Sequence, residues 1–188
     1  MTQAFVLASG PSLTPEDVER VRVWRSEDYS RVVVVTNTTF RLAPWADWLF
    51  CCDGGWLVHY RSEVQENFRG KVVTVSHLAR RYGAECVIGA GFTRYLNSGA
   101  CAASWAISKG AKRVYLLGCD CKASGKIHWH GDHPKELRNA TSLGRWPQDF
   151  KKLAKDAEKS GVEIINCSRD TALTCFPLVE LESALQAA

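Results

Sequence analysis

Seven short apolar runs limit what this chain can fold into: AFVLAS (4–9), RVVVVTN (31–37), DWLFCCD (47–53), KVVTVS (71–76), ECVIG (85–89), KRVYLLGCD (112–120) and VEIINCS (162–168). Most lack polar alternation, so the strands they form must be covered on both faces. Segments with helix spacing lie at 14–24, 55–68, 97–110, 147–161 and 178–186. In the first of these Thr14 can cap, Pro15 suits the first helical position, and Glu16 and Asp17 favour the positive helix start. Gly110 and Gly161 stand where helices commonly end. The predicted fold is therefore α/β: a single Rossmann-like doubly wound domain over residues 1–188, with a mostly parallel sheet of about six to seven strands and helices on both faces.

Composition narrows the classes of function. Hydrophobic residues make up 46% of the chain and seven are Trp, enough for one substantial core. Lys and Arg number 24 against 20 Asp and Glu, and the basic residues are scattered. That pattern suits an anionic small molecule; nucleic acid is allowed by it but not indicated. MTQAFVLASGPSL has no basic leader region, and no apolar run approaches the roughly 18 residues of a membrane span, so a cytoplasmic protein with no membrane partner is expected. The eight cysteines sit mostly inside apolar runs and read as small core residues of a reducing compartment.

In open parallel sheets, ligands bind at the carboxyl ends of the strands. The residues predicted there form an ordered set: Ser9, Gly10, Pro11 and Ser12; Asn37; Asp53; Asn97, Ser98 and Gly99; and Asp120. Gly10 permits close backbone approach and Ser12 offers a hydroxyl near a helix start, a combination suited to phosphate. Asn97 and Ser98 open a helix of small residues and offer either a second phosphate contact or simple capping. Asn37 and Asp53 suit a ribose or base edge, or turn formation.

The long polar segment 121–146 reads as a functional loop and contains KIHWHGDHP, with His128, His130, Asp132 and His133. Written H-x-H-x-D-H, it resembles the metal-binding run of the metallo-β-lactamase superfamily. That superfamily draws further ligands from downstream strands, and no histidine follows His133 here. The readings kept for the loop are acid–base catalysis by His133, His130 or His128 with Asp132 assisting, and a zinc site formed by Cys119, Cys121, His128 and His130. A divalent ion on Asp120, Asp132 and a ligand phosphate is a further alternative. Lys126, Lys135, Arg138 and Arg145 could neutralise a leaving phosphate. In a purely structural loop Trp129 would pack down instead. His59 and His77 read as packing or surface residues of helical stretches; SRDTALTCFP reads either as a segment closing over the ligand or, at Arg169 and Asp170, as a surface ion pair.

The order ASGPSL, VTN, CCD, NSGACAASWAISKGAKRVYLLGCD and WPQDFKKLAKDAEKSGVEIINCSRDTALTCFPLVEL resembles the bacterial lipooligosaccharide sialyltransferases. It is also similar to the related group of motility-accessory-factor glycosyltransferases and the archaeal hydroxymethyldihydropterin pyrophosphokinase, above all to phage and prophage proteins of that group, some labelled norphogenetic. The resemblance covers most of the chain and implies a nucleotide-binding transferase, in the host cytoplasm if phage-encoded. It implies that Ser12 and Ser98 touch phosphate, that Asn37 lies by phosphate or ribose, and that Asp53 lies near ribose or base. The family's basic histidine would fall near Gly144 and Arg145, where this chain has none, and its phosphate-facing tyrosine pair has no match, although Trp129 and Arg138 occupy that segment. The base role thus passes to His133, His130 or His128.

The function these readings imply is a glycosyltransferase-like enzyme that uses a nucleotide-sugar donor of the CMP-sugar type. One alternative is diphosphate transfer from a nucleoside triphosphate, with Mg2+ carried by Asp53, Asp120 and Asp132. The other is a non-catalytic nucleotide-binding or interaction protein of a phage.

Overall fold

The computed structural model of the chain describes residues 2–87, 91–122, 125–137 and 143–187. Seven strands form one sheet: β1 (Gln3–Leu7), β2 (Val32–Thr36), β3 (Trp48–Cys51), β4 (Lys71–Thr74), β5 (Glu85–Cys86), β6 (Arg113–Leu117) and β7 (Glu163–Asn166). Their order is β5-β4-β3-β2-β1-β6-β7, and every pairing is parallel. The helices are α1 (Pro15–Glu27), α2 (Gly54–Asn67), α3 (Ser98–Ser108), α4 (Trp146–Lys159) and α5 (Leu181–Gln186). This is the doubly wound α/β architecture. Among the described residues no helix is long and apolar enough to cross a membrane.

The strand pleat divides the core between the two faces of the sheet. Ala4, Val6, Val34, Phe50, Val114 and Leu116 face α3 and α4, where Ala100, Ala103, Phe150 and Leu153 meet them. Phe5, Leu7, Val33, Val35, Leu49 and Tyr115 face the other way, onto Val18, Val21 and Trp24 of α1, Leu57 of α2 and Leu181 of α5. A slip of one residue in any central strand would exchange the two sets, so the unbroken apolar runs also fix the register. Phe5 stacks on Tyr115 at 4.7 Å between ring centroids and meets Trp24 edge-on at 4.8 Å.

Local signals explain the elements. Thr14 and Asp17 form a reciprocal capping box at the start of α1, which carries Pro15 in its first turn. The strands stop one to three residues short of their predicted ends. Asn37 and Asp53 instead open the turns that follow β2 and β3, and Asp120 lies beyond β6. The run at 85–89 gives only the two-residue β5; positions 88 and 89 lie outside the described residues. His59 lies exposed on α2, whereas His77 lies in a turn after β4 rather than in a helix.

Asp47 ties α1 to the middle of the sheet. Arg25 donates to both of its carboxylate oxygens at 2.9 Å, and the Val33 amide donates to it at 2.7 Å. Such a forked, partly buried pair is stronger than a surface ion pair. Replacing Asp47 by Ala strands a buried amide and a half-buried guanidinium, with an expected loss of about 2–3 kcal/mol in urea denaturation. Asp47→Asn, which keeps an acceptor for Val33, should lose about half as much.

Candidate functional site

Chain direction across the sheet reverses at β1, with β2 on one side and β6 on the other. A crevice therefore opens beyond their carboxyl ends. It is a cavity of about 430 Å3, lined by Ser9, Gly10 and Pro11 after β1, Asn37 after β2, Cys52 and Asp53 after β3, Asn97, Ser98 and Gly99 at the start of α3, Asp120 after β6, and His128 and His133 of the loop. Nine of the ten residues predicted for nucleotide contact line it; Ser12 does not.

The turn after β1 is closed by the protein's own carboxylate. Asp120, buried, accepts hydrogen bonds from the Ser12 amide at 2.7 Å and the Ser12 hydroxyl at 2.6 Å. Gly10 donates its amide to Gly118 O at 2.8 Å, and Pro11 has no amide to offer. A Cβ on Gly10 would stand 2.4 Å from Gly118 O and 2.5 Å from the Asp120 carboxylate, so this approach requires glycine. Gly118 has a φ of +69°, with no room for a side chain against Ala8 O. Burial pushes the Asp120 carboxyl upward and the two Ser12 hydrogen bonds oppose it. Ser12, expected to touch phosphate, is here bonded to Asp120.

Asp120 is held from behind by the segment after β7. Ala172 donates to its carbonyl at 2.8 Å, Ser168 Oγ accepts from the Cys119 amide at 2.8 Å, and Thr171 donates to Cys119 O at 2.8 Å. SRDTALTCFP therefore braces the end of β6. Arg169 and Asp170 do not pair with each other. Arg169 binds the buried carboxylate of Asp17, and Asp170 pairs with Lys122 at the cavity wall.

The start of α3 is left open at the cavity. Asn97 caps the helix, accepting from the Ala100 amide at 2.8 Å, and Asp149 of α4 steadies it by accepting from the Leu96 amide at 3.0 Å. The amides of Ser98 and Gly99 have no hydrogen-bond partner among the described residues. They lie at the positive end of an 11-residue helix, facing the cavity. Asn37 stands opposite with a left-handed φ of +46°; its amide nitrogen lies 3.5 Å from Ser98 Oγ, and its Oδ1 is buried without a partner among the described residues. Backbone strain of this kind, about 1–3 kcal/mol, concentrates at binding sites. Asp53 caps α2 through the Gly55 amide at 2.7 Å and presents an exposed carboxylate to the cavity.

The histidine loop folds against this wall. Trp129 packs down, its amide donating to Ser9 O at 2.9 Å and its indole to Thr39 at 3.3 Å. His128, His130 and His133 then cluster with ring centroids 4.9–5.0 Å apart. His128 Nδ1 shares a 2.9 Å hydrogen bond with Ser9 Oγ. His128 and His133 line the cavity, His130 sits behind them, and Asp132 is exposed outside it. Burial, followed by the neighbouring imidazoles, pulls His128 and His130 down to about 4. Burial also lowers His133, against the opposing pull of Asp53 and Asp132. His128 and His130 are thus neutral at pH 7, and His133 is biased the same way.

The four-ligand zinc set is not assembled. Cys119 is buried against the core beneath α3 at the cavity floor, and among the described residues no group of three or more His, Cys, Asp or Glu is placed to hold a metal ion. Asp120 lines the cavity, whereas Asp132 is exposed and does not. Arg138 lies outside the described residues, and Lys126 stands exposed at the cavity rim. Cys52, Trp56 and Lys122 line the cavity without having been singled out in the sequence; for Cys52 the available signal was its place directly before Asp53 at a strand end.

No protein-family model matches the chain, and no curated protein matches it significantly. Solved structures of similar shape include the sialyltransferase CstII from Campylobacter jejuni in complex with a substrate analogue, cytidine 5'-monophosphate. It has a TM-score of 0.65 and 14% identity, over 95% of this chain and 85% of that one. The monofunctional α-2,3-sialyltransferase Cst-I from Campylobacter jejuni gives a TM-score of 0.63 and 16% identity, over 95% and 80%. This chain has the fold of those sialyltransferases. At such identities the likeness is one of fold.

The neutral histidine cluster has a consequence for stability. The unfolded chain takes up protons near the ordinary histidine value of 6.5, whereas folded His128 and His130 do so only near about 4. Stability should therefore fall as pH drops through that window and level off below it. Denaturation midpoints measured across the window should show that slope, and His130→Gln should flatten it; an unchanged slope would show that His130 is not held neutral by the fold.

Proposed function

We propose that this chain is a nucleotide-dependent transferase of the glycosyltransferase type, taking a CMP-sugar-like donor in the cavity at the carboxyl edge of its sheet. The observation that carries the reading is the start of α3, where two helix-start amides without partners face a cavity of about 430 Å3. A volume of that order suits a nucleotide-sized ligand. The shared fold with CstII, solved with cytidine monophosphate, supports the choice of nucleotide.

In this reading the donor phosphate rests on the amides of Ser98 and Gly99, with Ser98 Oγ and the Asn37 amide beside it. Asp53, exposed at the rim, faces the ribose or base. Asp120 is a structural anion: it keeps the turn after β1 in shape and directs the ligand's negative charge toward α3. His133 is the base. It lines the cavity, and burial favours its neutral form, whereas His130 lies behind. In the transfer step His133 takes the proton from the acceptor hydroxyl, the acceptor oxygen bonds to the anomeric carbon of the sugar, and the carbon–oxygen bond to phosphate breaks. The nucleotide leaves with the bonding electron pair. Neutral imidazoles next to the phosphate leave charge balance to the α3 dipole and to Lys126.

CMP at about 100 times its Kd should raise the melting temperature by about 5–10 °C, more than UDP, GDP or ATP does. His133→Ala should keep that shift and lower donor turnover by about 100-fold or more, while His130→Ala should lower it by less than about 10-fold. Absence of stabilisation by any nucleotide defeats the reading, and undiminished turnover in His133→Ala moves the base elsewhere.

A further inference from the structure

A second cavity, of about 370 Å3, lies on the α2 face of the sheet, bounded by α2, the start of β4 and the turn that leads into β5. Lys71 and Glu85 line it and are the first residues of β4 and β5. It therefore opens at the amino ends of these strands, whereas the cavity at Asp53 and Ser98 lies beyond the carboxyl ends of the sheet.

Its floor is apolar and its rim is cationic. Leu57, Arg61, Val64, Gln65 and Phe68 recur at helix spacing and present one face of α2 to it. Leu57, Val64 and Phe68 are buried in the core there, and Val72 and Tyr82 pack beside them. Arg61 and Lys71 stand exposed in the lining, and Arg80 and Arg81 are exposed on the turn that carries Tyr82. Among the described residues none of these four cations has a carboxylate within ion-pair distance. Exposed arginines elsewhere are matched: Arg20 pairs with Glu182, Arg22 with Glu19 and Arg41 with Glu63. Glu85, the acid of the lining, pairs instead with Lys109 at 3.6 Å. Two of the cations are placed by an aromatic ring, Arg61 at 5.3 Å and Arg81 at 5.8 Å from the centroid of Tyr82. A ring orders a guanidinium without neutralising it, so the positive charge stays available at the rim.

We propose that this cavity is a binding site for a small amphiphilic anion, whose apolar body lies along α2 and whose acidic head meets Arg61 and Lys71.

The volume falls in the range of small-ligand pockets, about 300–1,000 Å3. Unmatched cations around one opening repel one another, and an acidic head relieves that repulsion. The floor sets the second requirement. A bare inorganic anion would gain the charge contacts and leave the apolar side of the cavity wet, whereas a hydrocarbon or aromatic body removes that surface from water.

The test uses the full chain, shown to be folded by circular dichroism, with anilinonaphthalene sulfonate as the fluorescent probe. Phenylnaphthylamine, the same body without the sulfonate, should bind at least about 10-fold more weakly. Octanoate should displace the sulfonate probe, whereas octanol and acetate, each with one half of the required chemistry, should not do so at the same concentration. Arg61→Gln and Lys71→Gln should each weaken the probe about 5–10-fold, and Arg20→Gln, outside the cavity, should leave its affinity unchanged. The comparison of charged and neutral probes on the native chain needs no variant to fold. Absence of probe binding, equal binding of the two probes, displacement by octanol as readily as by octanoate, or unchanged affinity in both Arg61→Gln and Lys71→Gln overturns the proposal.

Discussion

The carboxylate of Asp120 sits in the turn that follows β1, and the rest of the site is arranged around it. β1 and β6 are neighbours at the place where the chain reverses across the sheet, and their ladder continues past the strands through Ala8 to Leu117 and Gly10 to Gly118. That proximity brings a residue after β6 into hydrogen bonding with both the amide and the hydroxyl of Ser12. A buried carboxylate costs several kcal/mol unless it is well paired, and charge-assisted hydrogen bonds offset this here. In the proposed function this carboxylate fills the first turn of the sheet, and the ligand's phosphate goes to α3 instead.

This arrangement explains why site residues carry so many structural duties. Asp53 and Asn97 each cap a helix, and Asp149 holds Asn97 from α4. Asn37 adopts a strained left-handed conformation, with a buried carbonyl oxygen left without a partner among the described residues. The histidine loop is anchored by Trp129 on one side and by Ser9 on the other, which leaves His133 facing the cavity. Capping and binding are compatible, because a capped helix start presents its remaining amides in fixed directions.

Much of this was legible in the sequence. RVVVVTN and KRVYLLGCD could only be strands buried on both faces, and the residues just beyond them had to gather at one edge. The spacing of His128, His130 and His133 brought the imidazoles together. What the sequence could not show is which groups meet across long separations. Ser12 and Asp120 are 108 positions apart, and nothing local marks the serine as a partner for a carboxylate rather than for phosphate. Cys119 matched a metal spacing, but its position on the inward-facing side beneath α3 placed it in the core. Strand ends were overrun for a related reason: Asn37 and Asp53 follow apolar runs directly, and the turn preference of their side chains outweighs the run.

The central claim is that the ligand's phosphate is held at α3 while Asp120 keeps the first turn. A crystal structure of the chain with CMP bound tests it most directly. The account expects a phosphate oxygen within hydrogen-bond distance of the Ser98 and Gly99 amides, with Ser12 still bonded to Asp120. A phosphate seated in the turn after β1 with Asp120 displaced, or CMP bound outside the cavity, would contradict it.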